Sequence, residues 1–503
     1  MRRFALAGLV LLAGPAAAQT AHSKETAAAS ITATDVAHRI GIIADDSMMG
    51  RDTPSPGLEA TAKYVAEQFR RVGLAPGGEN GTWFQRYPIT RRKLDLVRSR
   101  VVVESGGVTD VARFDRAARL IQGTVPEHAE SGPAVLLGGA LTPDAVAHMP
   151  LRDRMVLYAP DLSKPTDQTA AQVSRAIRLA APRAVVIVAN ADSEPYSHRI
   201  PHDGPARTTV DLKLISPPVV EVGEFAVARG LRAAHLDLNQ VRASTAPVMR
   251  EVPGLRLTVE LRDSMLLALS APNTVGILEG SDPELKQEYL IYSAHMDHIG
   301  ITPGRPDSIN NGADDDGSGT IGVVELAGAF SRPGARPRRS IVFLTVSGEE
   351  KGLWGSRYFS EHPTVPIRQV VADLNIDMIG RNWPDTIVAI GKEHSDLGAT
   401  LERVNRAHRE LGMTAIDDIW PEERFYFRSD HYNFARKGVP ILFFFNGVHP
   451  DYHQVTDSPD KINAEKEARI LKLLFYLGQE VGNSPRRPKW KPESYREIVE
   501  DAS

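Results

Sequence analysis

The chain has 503 residues, 42% of them hydrophobic, which is enough for a sizeable core and, at roughly 150 residues per domain, for two or three domains. Its formal net charge of −4 leaves no basic surface excess, which argues against nucleic-acid binding. The sequence contains no cysteine, so disulfide bonds and thiolate chemistry are excluded.

The first 18 residues have the pattern of a secretory signal peptide. Arg2 and Arg3 precede the apolar run 4–13, and the three alanines at 16–18 fit a cleavage site of small residues. The apolar run is too short to span a membrane, which favours a removable signal over an anchor. We therefore expect cleavage after the third alanine and export to the periplasm or the medium.

A loop and a helix follow the predicted signal. Apolar residues at helical spacing predict a helix that stops at Gly73, with Pro76 just beyond. These residues are Leu58, Ala62, Val65, Phe69 and Val72. The preceding segment 49–57, Met-Gly-Arg-Asp-Thr-Pro-Ser-Pro-Gly, is interpreted as a loop.

The character of the sequence changes between residues 117 and 253, which are predicted to form an inserted domain. Short strands and one helix are predicted there, and no paired carboxylate or histidine motif occurs among them. The strands are expected at 135–137, 155–158, 184–188 and 219–222, and the helix at 170–181. Such an insert either covers a functional site or acts as a passive spacer.

The segments 29–116 and 254–485 flank the insert and are predicted to form one domain. A strand at 256–262 begins its second part, and a long helix at 463–477 lies near its end. Residues 486–503 are rich in Pro, Lys and Glu and are expected to be a tail that is ordered only if it docks.

Four short apolar, β-rich runs dominate the second part. They predict strands buried on both faces of a sheet, with helices between them, as in an α/β fold. The runs are 288–294, 340–346, 369–376 and 439–445, and a helix is predicted at 318–330.

Metal-binding side chains recur near the ends of these runs. In open α/β sheets such residues gather outside the carboxyl ends of the strands. Two histidines and three carboxylates form a ligand set that suits zinc. If three protein groups bind each ion, five side chains imply two ions that share a carboxylate, roughly 3.5–4 Å apart. The five residues are His295, Asp315, Glu350, Asp377 and His453.

Each of these residues also has a structural interpretation. Single buried histidines are usually structural, and acidic pairs such as Glu349-Glu350 are common on surfaces. The Asp run 314–316 could also be a calcium loop, but it lacks the Asp-x-Asp-x-Asp-Gly spacing. The five motifs together, in order and mostly at strand ends, favour the two-metal site.

The motifs resemble those of the co-catalytic di-zinc exopeptidases, which include the bacterial leucyl aminopeptidases and glutamate carboxypeptidase. The resemblance extends over about 35–482, apart from the insert, and segment 49–57 resembles the opening segment of that family. It implies a mixed central sheet with helices on both faces, interrupted by a β-rich protease-associated domain. The segments that carry it are Ser-Ala-His-Met-Asp-His, Ala-Asp-Asp-Asp-Gly-Ser-Gly, Ser-Gly-Glu-Glu, Asn-Ile-Asp-Met-Ile-Gly and Asp-Tyr-His-Gln.

The resemblance also implies a role for each ligand. His295 and Asp377 would bind one zinc ion, and Glu350 and His453 would bind the other. Asp315, the middle residue of its run, would bridge the two ions, and the peptide bond after it is expected to be cis.

Three neighbours of these ligands are assigned from their positions. Glu349 precedes the ligand Glu350, and because adjacent side chains do not easily take the same metal, Glu349 is predicted to be the general base. Asp297 lies two residues after His295 and is predicted to hold the imidazole nitrogen that faces away from the metal. His298 is interpreted as a supporting or structural residue, because the ligand set is already full.

Substrate-binding residues follow from the same resemblance. Arg428, in Phe-Arg-Ser-Asp-His, would lie beside the substrate backbone, Phe445 would wall the side-chain pocket, and Tyr452 would donate to the oxyanion.

The function implied is an exported exopeptidase with two Zn²⁺ ions, an aminopeptidase that acts on peptides through a metal-bridging hydroxide. A carboxypeptidase or a related amide hydrolase on the same site is the alternative, followed by a non-catalytic receptor-like homologue. No stable membrane insertion is expected after signal removal.

Overall fold

The computed structural model describes residues 15–160, 168–189, 206–210, 216–304 and 306–500. The first 14 residues, which hold most of the predicted signal peptide, lie outside this range, so the signal peptide stays a prediction. Among the described residues, no helix combines the length and apolar character that a membrane span requires.

Strands and helices alternate through much of the chain. In chain order the strands are β1 (Ala75–Pro76), β2 (Phe84–Leu94), β3 (Arg100–Ser105), β4 (Val108–Arg113), β5 (Ala118–Gln122), β6 (Glu130–Gly139), β7 (Met155–Ala159), β8 (Ala184–Ala189), β9 (Ala206–Val210), β10 (Val219–Gly223), β11 (Pro247–Glu260), β12 (Asp263–Leu278), β13 (Tyr289–His295), β14 (Ser340–Val346), β15 (Val370–Ile376), β16 (Thr386–Ile390), β17 (Thr414–Ile416) and β18 (Ile441–Phe444). The helices are α1 (Pro15–Ala29), α2 (Ala33–Ile43), α3 (Pro56–Arg71), α4 (Pro143–Ala147), α5 (Gln168–Leu179), α6 (Glu224–Ala233), α7 (Leu238–Arg242), α8 (Gly319–Phe330), α9 (Trp354–Glu361), α10 (Leu397–Ala407), α11 (His431–Ala435), α12 (Ala464–Asn483) and α13 (Pro492–Tyr495).

The chain divides into two compact units. The first contains the residues up to Pro88 and those from Leu269 onward, and the second is Ile89–Ala268. The second unit begins earlier and ends later than the predicted insert 117–253. The physical reason is strand pairing, because β3 pairs with β4 on one side and with β11 on the other.

The central sheet of the first unit is mixed. Its strands lie in the order β17-β16-β18-β15-β13-β14-β12. The strands β14, β13, β15 and β18 are parallel to their neighbours in this series, whereas β12 is antiparallel to β14 and β16 is antiparallel to β18. The carboxyl ends of the four parallel strands therefore lie at the same edge of the sheet.

Both faces of this sheet are covered, as β13 shows. Leu290 and Tyr292 pack in one core with residues of α2, α8 and α12, whereas Ile291 packs in a second core with residues of α9 and α11. Successive side chains of a strand point to opposite faces, so a continuously apolar strand feeds both cores. The predicted α/β fold, with a mixed sheet and helices on both faces, is confirmed.

Helix α3 illustrates how local signals position these elements. Ser55 caps its start by accepting a hydrogen bond from the N–H of Leu58, and Pro56 occupies the first helical position. The helix ends just before Gly73, whose φ of +80° suits a residue without a β-carbon. Phe69 is fully buried, and burying such a side chain contributes about 1.5–3 kcal/mol.

The second unit has its own sheet, in the order β4-β3-β11-β6-β7-β8-β10-β5. Four of these strands, β6, β7, β8 and β10, cover the strands predicted in the insert, and α5 covers most of the predicted helix. Two apolar clusters form the core of this unit. Its assignment as a protease-associated domain stays a prediction.

The C-terminal tail docks on the first unit over its described residues. The indole N–H of Trp490 donates to the carbonyl of Gly438 at 2.9 Å, and Arg487 Nε lies 2.7 Å from Glu288 Oε1. Ile498 is buried in the same core as α9 and α11. Apolar burial and ion pairing therefore order a segment whose composition predicted a tail.

Candidate active site

The parallel strands deliver four acidic or imidazole side chains to one edge of the sheet. His295 is the last residue of β13, and Asp377 directly follows β15. Glu349 and Glu350 lie in the turn that follows β14. Because the strands are parallel neighbours, residues separated by up to 82 positions meet at this edge.

Of the Asp run 314–316, only Asp315 lies among the candidate metal donors. Asp314 and Asp316 accept hydrogen bonds from backbone N–H groups near the site. Asp314 Oδ1 accepts a hydrogen bond from the N–H of Gly380 at 2.6 Å, and Asp316 Oδ2 accepts one from the N–H of His295 at 3.0 Å. Asp315 instead presents its two carboxylate oxygens to histidines on opposite sides. The Asp315-Asp316 peptide bond is cis, as expected.

One group of donors forms around His295. Its Nε2 atom lies 3.4 Å from Asp315 Oδ1 and 3.7 Å from Asp377 Oδ1. The three side chains are almost completely buried and present donor atoms at a separation that suits one metal ion.

A second group forms on the other side of Asp315. His453 Nε2 lies 3.2 Å from Asp315 Oδ2 and 3.1 Å from Glu350 Oε2. His298 joins this group, since its Nδ1 lies 2.9 Å from Glu350 Oε1 and 3.6 Å from Asp315 Oδ2. Asp315 is thus shared between the two groups, in the arrangement predicted for a bridging carboxylate.

Both groups fit metal ions. Donors about 2.0–2.2 Å from a tetrahedral ion lie about 3.3–3.6 Å from one another, and the separations here run from 2.9 to 3.7 Å. Several of the atoms involved are buried and have no hydrogen-bond partner among the described residues, which is costly unless a cation faces them. They are Asp315 Oδ2, Glu350 Oε1, Asp377 Oδ1 and both ring nitrogens of His298.

Residues 273–478, which contain all of these donors, match the model of Peptidase family M28. Over these residues the chain is therefore similar to that family.

Individual relatives match this chain at low sequence identity. The chain is 26% identical over 258 residues to leupeptin-inactivating enzyme 1 of Streptomyces exfoliatus, covering 51% of this chain and 54% of the relative. It is 28% identical over 207 residues to a probable leucine aminopeptidase of Arthroderma otae, covering 40% and 56%. The chain therefore spans about half the length of these curated relatives.

Among solved structures, the chain is similar to the aminopeptidase from Aneurinibacillus sp. strain AM-1. That comparison has 18% sequence identity and a TM-score of 0.49, and it covers 93% of this chain and 98% of the other.

The electrostatics of this segment favour positive charge at both donor groups. Burial disfavours the protonated form of His295, but Asp377 and neighbouring carboxylates outweigh it and hold its pKa well above the usual range. Burial also opposes protonation of His453, yet Asp315 and Glu350 raise its pKa to about 10. The carboxylates thus stabilise added cationic charge, which a metal ion would supply.

Glu349 lies beside these groups and lines the adjoining pocket. Burial raises the pKa of its carboxyl well above the usual range, and the charges of Asp430 and Asp377 add to this effect against the opposing influence of His295. A carboxylate in such a setting has an increased affinity for a proton, as a general base requires.

Asp297 supports the site differently from the prediction. His295 Nδ1 is 3.1 Å from the backbone carbonyl of Asp297 and 3.7 Å from its carboxylate, so the carbonyl is the closer partner. The carboxylate is engaged elsewhere, because it accepts hydrogen bonds from the Thr53 hydroxyl at 3.0 Å and the Glu349 N–H at 3.3 Å. Asp297 therefore connects the strand that carries His295 to Glu349, the predicted general base.

The segment 49–57 was predicted as a loop, but it overlaps a 3-10 helix, Asp46–Arg51, at its start and the beginning of α3 at its end, and it has a role at the site. The fully buried guanidinium of Arg51 donates hydrogen bonds to the carbonyls of Met296, Asn311 and Gly312, among others. Through these hydrogen bonds, Arg51 joins the segment after His295 to the segment that leads to the Asp run 314–316. Neither the buried position of Arg51 nor its partners could be read from the sequence motif.

A small pocket opens beside the first donor group, and all three predicted substrate residues line it. Phe445 is buried and stacks on Phe443, with ring centroids 5.2 Å apart. Tyr452 stacks on His453 at 3.9 Å, and burial raises the pKa of its hydroxyl. Arg428 is half-exposed and lies over the Phe425 ring, with its guanidinium carbon 4.8 Å from the centroid.

Sequence reasoning missed several residues around the site. His298 belongs to the second donor group, and the repeated histidine in His-Met-Asp-His was the available signal. Ser429 donates to Asp377 Oδ2 at 3.1 Å, and Asp457 accepts from the N–H of Asp315 at 3.1 Å. These contacts join segments far apart in the chain and have no local pattern.

Proposed function

We propose that this chain is an exported zinc-dependent exopeptidase, an aminopeptidase that releases N-terminal residues from peptides. The observation that carries the proposal is the pair of buried donor groups that share Asp315, with Glu349 beside them on the wall of a pocket. The match of residues 273–478 to Peptidase family M28 supports the same reaction class.

The residues that would hold two zinc ions are His295 and Asp377 for the first, Glu350 and His453 for the second, and Asp315 for both. When bound, such ions would polarise a peptide carbonyl and lower the pKa of a bound water molecule to about 7.

Glu349 acts as the proton carrier in this proposal. Its carboxylate accepts a proton from the attacking water and returns it to the leaving amine, a role consistent with its raised pKa. Tyr452, which lines the same pocket, donates a hydrogen bond to the developing oxyanion in this proposal. As proton carrier and oxyanion donor, Glu349 and Tyr452 act in the chemical step, and these two roles raise kcat.

The pocket favours an apolar residue with a free ammonium group. Phe425, Phe443 and Phe445 supply aromatic surface for an apolar side chain. Glu349 and Asp377 face the same pocket and offer charge-assisted hydrogen bonds to an N-terminal ammonium. The similarity to probable leucine aminopeptidases supports leucyl substrates.

Arg428 gives the carboxypeptidase alternative a specific basis, because its guanidinium also lines the pocket and could bind a C-terminal carboxylate. In the structure, however, its Nη1 atom lies 3.3 Å from Glu423 Oε2, and this acidic partner already neutralises part of its charge. We therefore favour the aminopeptidase.

Substrate blocking distinguishes the two activities. Leucyl anilide substrates should be hydrolysed, with loss on chelation and recovery with zinc, whereas their N-acetyl forms should not. Hydrolysis of an N-acetylated peptide from its C-terminus, without action on free leucyl substrates, would instead establish a carboxypeptidase.

The proposed export depends on the N-terminal sequence alone. N-terminal sequencing of protein recovered from the periplasm or medium should begin after Ala18, whereas an intact Met1 in a cytoplasmic fraction would disprove it.

A further inference from the structure

An apolar surface continues outward from the active-site pocket. Val448 lines the pocket and is 52% exposed, so it lies at the rim. Trp383, in another segment, is 38% exposed. The residue before it, Asn382, donates hydrogen bonds from Nδ2 to the carbonyls of Asn446 at 2.7 Å and Val448 at 3.5 Å. The segment that carries Trp383 is therefore held beside the rim.

Trp420 connects Trp383 to the wall of the pocket. Its indole stacks on that of Trp383, with ring centroids 6.0 Å apart and an interplanar angle of 27°. It also meets the rings of Phe425 and Phe445 at steep angles, with centroids 5.8 Å and 5.9 Å away. Both phenylalanines line the pocket. Rings at such separations are in contact, so the aromatic surface is continuous from the pocket wall to Trp383.

Gly447 makes the close approach of Trp420 to the rim possible. A β-carbon at this position would lie 2.6 Å from the indole of Trp420, closer than real β-carbons approach other atoms. The φ of Gly447 is +81°, which also favours glycine. The indole therefore lies against the backbone directly before Val448. Trp383, Trp420 and Val448 together form what we call the rim surface.

The rim surface and the pocket have different occupants. In the proposed function, the pocket takes the N-terminal residue of the substrate, so the residues after the cleaved bond are the ones that extend over the rim. An extended peptide spans about 3.3–3.6 Å per residue. The 6.0 Å between the centroids of Trp420 and Trp383 is therefore within reach of two successive residues. Exposed apolar surface next to a functional pocket is typical of a ligand-binding groove.

We propose that the rim surface binds the second and third residues of a peptide substrate and favours apolar, above all aromatic, side chains there. This proposal rests on the proposed aminopeptidase function and deepens it, because it names peptides with an aromatic residue after the cleaved bond as the preferred substrates. An aromatic side chain on an indole gains apolar burial and ring contact, neither of which glycine can supply.

The test compares three substrates of the purified full chain loaded with zinc. Leucinamide ends at the cleaved bond, Leu-Gly-Gly crosses the rim without side chains, and Leu-Phe-Gly places an aromatic ring there. The rate of leucine release gives kcat/KM for each substrate. For the wild type we expect kcat/KM to be roughly tenfold higher for Leu-Phe-Gly than for Leu-Gly-Gly.

Two variants of Trp383 test the contact itself. Trp383→Ala should reduce the preference for Leu-Phe-Gly over Leu-Gly-Gly to about twofold or less, and the loss should be larger for Leu-Phe-Gly than for leucinamide. Trp383→Phe keeps an aromatic ring and should retain most of the preference. Phe225→Ala is the matched control, since it removes an aromatic side chain that is 42% exposed in the second unit, and it should keep the wild-type preference.

Three outcomes would overturn the proposal: equal wild-type rates on the two tripeptides, a preference that survives in Trp383→Ala, or an equal loss on all three substrates in that variant. The last would show that Trp383 only supports the pocket wall. If the wild-type chain releases leucine from none of the three substrates, the proposed function itself is wrong.

Discussion

The hydroxyl of Thr53 donates a hydrogen bond to Asp297 Oδ2 at 3.0 Å, although the two residues are 244 positions apart. The same hydroxyl oxygen accepts one from the N–H of Gly348 at 3.1 Å. Thr53 thus connects the loop after His295 to the turn that carries Glu349.

Replacing Thr53 with Val should keep the shape of the side chain and remove both hydrogen bonds. We expect a loss of about 1–3 kcal/mol in the free energy of unfolding, since a buried carboxylate and N–H lose a partner. Activity should fall roughly 10–100-fold, the usual effect of losing a residue that orients a metal site. Thr53→Ser, which retains the hydroxyl, is the control, and equal activity in both variants would contradict this role.

Metal stoichiometry should distinguish a shared ligand from an unshared one. Asp315 faces both donor groups, so Asp315→Ala should weaken binding at both sites, whereas Glu350→Ala should weaken chiefly the second. Zinc content after dialysis, measured by atomic emission, provides the comparison. Two retained zinc ions and full activity in both variants would show that the bridging assignment is wrong.

Glu349→Gln should separate the proton carrier from the ligands. The amide keeps the size of the side chain but cannot take a proton, so zinc content should be retained while kcat falls by roughly 10²–10⁴-fold. Parallel measurements of zinc content and single-turnover rate give the answer. If zinc is lost in proportion to activity, Glu349 is a ligand instead.

A pH effect is expected outside the active site, at Glu325 of α8. This carboxyl is buried and pairs with Arg39 of α2. Burial raises its pKa from the ordinary 4.5 to about 7, against the opposing effect of Arg39. The unfolded chain therefore releases this proton at lower pH than the folded chain. The stabilising contribution is complete below about pH 4.5 and is lost as the pH rises through about 7.

Glu325→Gln mimics the protonated carboxyl and should remove this dependence. As the pH rises from 5 to 8, the free energy of unfolding of the variant should increase by about 1–3 kcal/mol relative to that of the wild type. Denaturant unfolding at a series of pH values measures this difference. Glu465→Gln, at an exposed position on α12, should follow the wild-type profile; a wild-type profile for Glu325→Gln would contradict the prediction.

Much of the fold was readable from the sequence because burial leaves a periodic pattern. The apolar run at 340–346 predicted β14 with the bounds that it has in the structure, and the helix predicted from Leu58 to Val72 is α3 within two residues at its start. The unit boundaries were not readable, because β3 and β4 join the second unit through pairing with distant β11.

The sequence pattern also predicts which side chains gather at the candidate site. Side chains placed after neighbouring parallel strands meet at one edge of the sheet, and the predicted ligands His295, Glu350 and Asp377 do so. A strand pattern determines which edge a residue reaches. It does not determine which way its side chain turns there, or which backbone groups surround it.

Those remaining facts were decided by tertiary packing. Arg51 donates to carbonyls more than 240 residues away. The carboxylate of Asp297 accepts a hydrogen bond from Thr53, and the imidazole of His298 lies beside Glu350. Each contact requires that two segments be placed to within a few tenths of an ångström. Only the folded core brings these segments together. The sequence by itself thus determined the types of side chain at the site and the sheet edge they share, whereas the tertiary structure decided their partners.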